Sequence, residues 1–132
     1  MKRPISLDKM APPLSDDATV LAERILPRHM FETRLRIRLQ RGSQKLTAQG
    51  WARDLSESGL SAFVAQALLV GELVTLEIPL PRSGTHEIPA RVVRSLGTEY
   101  GFQFTALSTQ QRALIRTTLR GQTAIPYHGA EP

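Results

Sequence analysis

Alternating apolar and polar positions run through most of the chain from Phe31 onward. In the segment FETRLRIRL, the side chains of Phe31, Leu35, Ile37 and Leu39 fall on one face of an extended backbone, together with Thr33, and arginines fall on the other. A period of two is typical of a β-strand with one buried face. The segment therefore predicts a strand with an apolar inner face and a basic outer face.

Five further segments continue this pattern and are separated by turn-forming residues. They are KLTAQGWARDL (45–55), GLSAFV (59–64), ELVTLEIPL (72–80), HEIPARVVRS (86–95) and EYGFQFTA (99–106). Turns are predicted near Gly42, at the PRSG sequence and near Gly97. Six short strands joined in this way indicate a small antiparallel β-barrel.

The pattern becomes helical after the last predicted strand, in LSTQQRALIRTTLRG. Ser108 and Gln111 have the spacing of a capping box, and Gly121 supplies a stop signal. Leu114, Ile115 and Leu119 form an apolar stripe that requires a surface to cover it. The expected fold is all-β with a terminal helix, a six-stranded antiparallel barrel with a C-terminal α-helix packed on it.

The two ends of the chain lack this periodicity. We expect residues 1–20 and 122–132 to be flexible tails and residues 21–121 to form one domain, with a short helix that ends before Pro27. The N-terminus has no apolar signal-peptide core, and no segment approaches the roughly 20 apolar residues of a spanning helix. A cytoplasmic protein without membrane insertion is expected.

Composition narrows the classes of function. The chain has 132 residues, of which 41% are hydrophobic and 22% charged, as in an ordinary soluble domain. The absence of cysteine excludes disulfides and thiolate metal sites. His86 and His128 have no partners at metal-like spacing, and no nucleophile–base pair stands out, so neither a metal nor an enzyme is expected. The net charge of +5 is carried mainly by arginine, which favours contacts with phosphate or guanine.

Two short motifs have the order and spacing of a known ligand site. Arg24 and Arg28 form R-x-x-x-R, and Asp54, Ser56 and Gly59 form D-x-S-x-x-G, with 25 residues between the motifs. Together with the strand that follows the second arginine, the closing hairpin and the C-terminal helix, this arrangement resembles the PilZ domain family, the bacterial receptors for cyclic di-GMP.

The resemblance implies that cyclic di-GMP is the ligand and that those five motif residues bind it. A guanidinium can fork onto a phosphate or onto the O6 and N7 atoms of guanine, and a carboxylate can accept the N1 and N2 hydrogens. A glycine permits positive φ and close backbone approach. Possible secondary contacts are His29, Trp51, Arg53 and Arg94, although a lone tryptophan in a small barrel is more often a core residue.

The resemblance also implies an effector that is not an enzyme. The ligand would order the N-terminal arginine segment and so pass a signal to an unidentified protein partner, in control of motility, adhesion or exopolysaccharide. DNA is not an expected partner.

Other interpretations stay open at this point. Taken alone, D-x-S-x-x-G is more typical of a turn closed by side-chain hydrogen bonds. Arg34 and Arg38 also match R-x-x-x-R, but only 15 residues separate them from Asp54 and they lie inside a predicted strand. With Arg36 they could form the basic face of a barrel that binds single-stranded RNA. The lack of aromatic residues interleaved on that face argues against this interpretation, because such proteins stack bases on aromatic rings. A PilZ-like module that acts only through protein contacts is the third possibility.

Overall fold

The computed structural model describes residues 27–122, which form six strands and one helix. Arg24, the expected short helix and almost all of the two expected tails lie outside these residues, so the domain boundaries stay predictions. The elements are β1 (His29–Arg41), β2 (Gln44–Leu55), β3 (Gly59–Val64), β4 (Leu73–Leu80), β5 (Gly84–Leu96), β6 (Glu99–Phe104) and α1 (Thr109–Arg120).

The strands close into a barrel in the order β1-β2-β3-β6-β5-β4. Every neighbouring pair is antiparallel, and β4 pairs with β1 to complete the circle. The predicted fold is confirmed, and each predicted strand overlaps an observed one with ends that differ by at most two residues.

The barrel interior is filled by the apolar side chains of the alternating strands. Fully buried members include Ile37, Leu76, Ile88, Val92 and Phe102, each at 0% exposure. Full burial of an aliphatic or aromatic side chain stabilises the folded state by about 1.5–3 kcal/mol. The alternation read from the sequence is therefore the physical basis of the barrel.

Helix α1 begins with the predicted capping box. The Oγ atom of Ser108 accepts from the backbone N of Gln111 at 3.0 Å, and the Oε1 atom of Gln111 accepts from the backbone N of Ser108 at 3.1 Å. Ile115 and Leu119 are buried in the barrel's hydrophobic cluster, and Leu114 packs against it in a partly buried position. The apolar stripe thus covers the barrel as expected.

A bidentate ion pair fastens the β3–β4 connection to the end of β1. Arg41 contacts the Glu72 carboxylate through Nε at 2.8 Å and Nη2 at 3.0 Å, and Nη2 also donates to the carbonyl of Ala67. The guanidinium of Arg41 lowers the pKa of Glu72, although burial acts in the opposite direction. A backbone hydrogen bond from Leu69 adds to the lowering.

Candidate functional site

A β-bulge in β2 determines where the Asp54 side chain points. Ala52 pairs with Ala62 of β3, but Asp54 pairs with Ser61, so Arg53 is an extra residue in β2. Such an insertion interrupts the strict alternation of a strand and turns the following side chain to the other face. The pairing of β2 with β1 shifts at the same level of the barrel, between Met30 and Thr33.

Ser61 shows which face of the barrel Asp54 occupies. In β3, the core residues Leu60, Ala62 and Val64 alternate with Ser61 and Phe63, so the last two point outward. Ser61 nevertheless has 0% exposure. Its Oγ atom donates to Oδ2 of Asp54 at 2.7 Å. The carboxylate therefore lies on the outer face of the barrel, covered by its neighbours.

Arg28 converges on the same carboxylate. Its Nε atom is 3.9 Å from Oδ1 of Asp54, with side-chain exposures of 35% for the arginine and 12% for the aspartate. That distance gives electrostatic attraction but is too long for a hydrogen bond. Within residues 27–122, the buried Oδ1 atom has no hydrogen-bond donor at all. Asp54 therefore holds one acceptor that the described part of the fold does not use.

Ser56 and Gly59 have a structural task in this motif. The Oγ atom of Ser56 accepts from the backbone N of Ser58 at 3.2 Å and donates to the carbonyl of Gly59 at 3.3 Å, while the Ser56 backbone N donates to that carbonyl at 2.8 Å. The turn interpretation is thus correct for the serine. Since Asp54 takes no part in these bonds, the turn does not account for the whole motif.

Gly59 is required by its approach to β6. A Cβ atom there would lie 2.0 Å from the carbonyl oxygen of Phe102, which no real contact permits. Gly59 does not use the positive φ that a glycine permits, because it is not among the glycines in the left-handed region. The expected close backbone approach is present, and it is made to the neighbouring strand.

A row of paired residues extends from Asp54 across the outer face. Ser61 pairs with Gly101 of β6, and Gly101 pairs with Arg94 of β5. The guanidinium of Arg94 lies over Gly101, with Cζ only 2.7 Å from the position a Cβ atom would take. The row therefore runs from Asp54, which Arg28 approaches, through Ser61 and Gly101 to Arg94.

The remaining secondary candidates differ in their surroundings. His29 pairs with Leu55 at the start of β1, and its buried Nδ1 atom has no hydrogen-bond partner within the described range. Arg53 is held by Glu99 at 3.2 Å and lies over the ring of Phe63, 5.1 Å from its centroid. Arg24 lies outside the described residues, so its position relative to Asp54 stays a prediction.

Trp51 is an exposed residue of the outer face. With 44% of its surface accessible, it does not follow the usual preference of a lone tryptophan for the core. It pairs with Arg34 of β1 on one side and with Phe63 of β3 on the other. The β1 face itself has no aromatic residue between its arginines, but the neighbouring strand places Trp51 beside Arg34. The sequence analysis did not identify Phe63 and Ser61 as candidate site residues. Their alternation with the core residues of β3 was the signal that could have placed them on the outer face.

Carboxylates neutralise the other two arginines of the β1 outer face. Arg36 and Arg38 both contact Glu77, at 3.0 and 2.8 Å, and Arg38 also contacts Glu87 at 3.0 Å. Their charges are therefore partly satisfied within the fold, which leaves less attraction for the phosphates of a nucleic acid.

No helix within residues 27–122 is long and apolar enough to cross a membrane. No group of three or more histidine, cysteine, aspartate or glutamate side chains in the same range could hold a metal ion.

Solved structures with the same fold are similar to this chain. The PilZ domain of CeSA from a cellulose-synthesizing bacterium is 21% identical, with a TM-score of 0.56 over 71% of this chain and 95% of that one. The PilZ domain of YcgR from Escherichia coli, solved with c-di-GMP, is 14% identical, with a TM-score of 0.57 over 72% and 87%. The Bacillus subtilis inhibitor of motility MotI/DgrA is 17% identical, with a TM-score of 0.58 over 74% of this chain and 50% of that one.

A family model extends this likeness from fold to sequence. Comparison with curated proteins gives no match. The model of the PilZ domain, in contrast, matches residues 22–121, which include both motifs and the whole barrel with its helix. The chain therefore belongs to the PilZ domain family.

Proposed function

We propose that this protein is a receptor for cyclic di-GMP and that the ligand binds where Arg28 meets Asp54. The observation that carries the proposal is the buried Oδ1 atom of Asp54, which lies 3.9 Å from a guanidinium and has no hydrogen-bond donor in the described part of the chain. An unsatisfied buried acceptor costs about 1–3 kcal/mol and calls for an explanation. The N1 and N2 hydrogens of guanine would supply donors to it.

The arginines would recognise other parts of the same ligand. Arg24 and Arg28 would contact its phosphates or the O6 and N7 edge of guanine, and Ser56 and Gly59 would shape the adjoining turn in addition to any direct contact. Hydrogen bonds to charged groups contribute roughly 1.5–3 kcal/mol each. When the cost of ordering the protein is subtracted, a few such bonds give a binding free energy of about −8 kcal/mol, which corresponds to micromolar affinity.

We further propose that binding changes the segment that contains Arg24 and Arg28. The Oδ1 atom of Asp54 is buried in this structure, so a guanine reaches it only if the residues that cover it move. Ligand phosphates would then hold both guanidiniums and order the segment against the barrel. A protein partner that contacts the ordered segment would receive the signal, without any catalytic step.

Isothermal titration of the full chain with cyclic di-GMP tests the binding proposal. The wild type should bind with micromolar affinity, and Arg28→Ala and Asp54→Ala should each weaken binding at least tenfold. Arg36→Ala is the matched control, because it removes one exposed arginine of β1 that is engaged with Glu77. An absence of heat with the wild type, or an equal loss in all three variants, would contradict the proposal.

Hydrogen exchange across residues 15–32 tests the ordering step separately. Amide protection in this range should increase when cyclic di-GMP is added. Equal protection with and without ligand would exclude ordering, even if the titration shows binding.

Single-stranded RNA is the second candidate ligand, and one observation favours it. Trp51 lies directly beside Arg34 on the outer face, which combines a stacking surface with a charge. Titration with a ten-nucleotide RNA at two salt concentrations decides the matter. Tight binding that weakens steeply with salt and is unchanged in Asp54→Ala would support RNA as the ligand.

A further inference from the structure

An exposed aromatic pair lies beside the candidate site on the same face of the barrel. Trp51 and Phe63 are directly paired across β2 and β3, and they are 44% and 41% exposed. Together with Arg34, Gln49 and Thr98, they line an open groove of about 750 Å³. An aromatic pair of this kind on the outside of a small barrel needs an explanation other than core packing.

The groove is close to the Asp54–Ser61 hydrogen bond. Phe63 follows Ser61 by two residues in β3, and both side chains point outward, so they are separated by roughly 7 Å along the strand. Arg53 connects the two places, since it adjoins Asp54 in the bulge and its guanidinium lies over the Phe63 ring at 5.1 Å. One face of Phe63 is thereby occupied, and Trp51 offers the more accessible ring.

We propose that the Trp51 ring is a stacking subsite for one guanine of cyclic di-GMP, while the other guanine contacts Asp54. This inference rests on the proposed function. A cyclic dinucleotide carries two planar bases on one phosphate ring, and the outer face presents a carboxylate acceptor and an aromatic ring one outward position apart along the paired strands β2 and β3. Arg34, paired with Trp51, supplies a positive charge on the groove side for a phosphate.

The subsite has a built-in reporter, because Trp51 is the only tryptophan of the chain. Cyclic di-GMP should quench its fluorescence on excitation at the red edge of the absorption band, with free N-acetyltryptophanamide titrated in parallel to correct for light absorbed by guanine. The quenching should saturate at the same ligand concentration as the calorimetric titration.

Substitutions test whether the ring contributes affinity. Trp51→Ala should weaken cyclic di-GMP binding roughly 5- to 150-fold, the range for loss of one stacked base, whereas Trp51→Phe should retain most of the affinity. Leu73→Ala is the control, since Leu73 is 60% exposed on β4, away from this face. Circular dichroism of each variant verifies that the barrel is folded.

The outcomes separate this inference from the proposed function. Calorimetric binding that depends on Asp54 but leaves Trp51 fluorescence and Trp51→Ala affinity unchanged would overturn the subsite alone. No calorimetric binding of cyclic di-GMP would overturn both. Quenching of Trp51 by the ten-nucleotide RNA, with none by cyclic di-GMP, would also overturn the subsite and assign the groove to RNA.

Discussion

Gly59→Ala should destabilise the barrel strongly, for a reason that has nothing to do with the ligand. The new Cβ atom would lie 2.0 Å from the carbonyl oxygen of Phe102, whereas ordinary contact begins at 3.4 Å, so β3 and β6 must separate locally by about 3.4 − 2.0 = 1.4 Å. Such a movement would break the nearby hydrogen bond from the Phe104 backbone N to the Ser58 carbonyl, now 2.8 Å long.

The expected loss follows from these two effects. Overpacking costs typically 1–3 kcal/mol, and a broken backbone hydrogen bond costs about 1 kcal/mol more if water replaces it. Alanine also lowers the conformational entropy of the unfolded chain, which stabilises the folded state by about 0.4–1 kcal/mol. We therefore expect Gly59→Ala to lower the free energy of unfolding by about 1–3.5 kcal/mol.

Gly101→Ala is the matched control on the neighbouring strand. Its Cβ atom would meet the Arg94 guanidinium at 2.7 Å, and the end of a long side chain can move aside where a backbone carbonyl cannot. The expected cost is below about 1 kcal/mol. Urea unfolding followed by circular dichroism measures both variants, with a lower midpoint by roughly 1–2 M for Gly59→Ala. Equal stabilities of the two variants would refute the reasoning.

Three further predictions concern the supports of the site. Ser108→Ala should cost about 0.5–2 kcal/mol in urea unfolding, because α1 loses its N-cap. The lowered pKa of Glu72 implies stability that is present above the ordinary glutamate value of 4.5 and is lost as pH falls through the lower folded-state value. Glu72→Gln should therefore reduce the acid dependence of the unfolding free energy, measured from pH 6 to 3. Arg116→Ala should cost less than about 1 kcal/mol in thermal unfolding, because its 3.0 Å pair with Glu57 is exposed.

Each of these has a contradicting result. An unchanged stability of Ser108→Ala would show that the helix is held by its apolar stripe alone. An acid profile of Glu72→Gln equal to that of the wild type would show that the pair with Arg41 does not control acid unfolding. A loss above 2 kcal/mol for Arg116→Ala would show that the helix contact near the motif turn is more than a surface ion pair.

The fold was predictable because burial follows a simple period in this chain. Because Leu35, Ile37 and Leu39 alternate with polar residues, only one face of β1 can pack into the barrel interior. The capping box at Ser108 marks the start of the helix unambiguously. Closure through β4 and β1 was less accessible, since pairing between distant strands depends on shape and twist that no local pattern records.

The site was predictable only in outline. The motif pair predicted that Arg28 and Asp54 share one site, and the structure places Arg28 Nε 3.9 Å from Asp54 Oδ1. A period of two, however, places Asp54 on the inner face with Ala52, and only the bulge at Arg53 reverses that assignment. A single inserted residue leaves no mark on composition. Two signals conflicted at Trp51: tryptophan usually prefers the core, whereas the alternation of β2 places this position on the outer face. The structure follows the alternation.

The most direct test of the central claim is a nuclear magnetic resonance titration of the isotope-labelled full chain with cyclic di-GMP. The account predicts saturable shifts at the amides of Arg28, Asp54 and Ser61, and none at Gly42, which follows the far end of the 13-residue strand β1. Shifts confined to the Gly42 end of the barrel, or no saturable shift anywhere, would contradict a nucleotide site at Arg28 and Asp54.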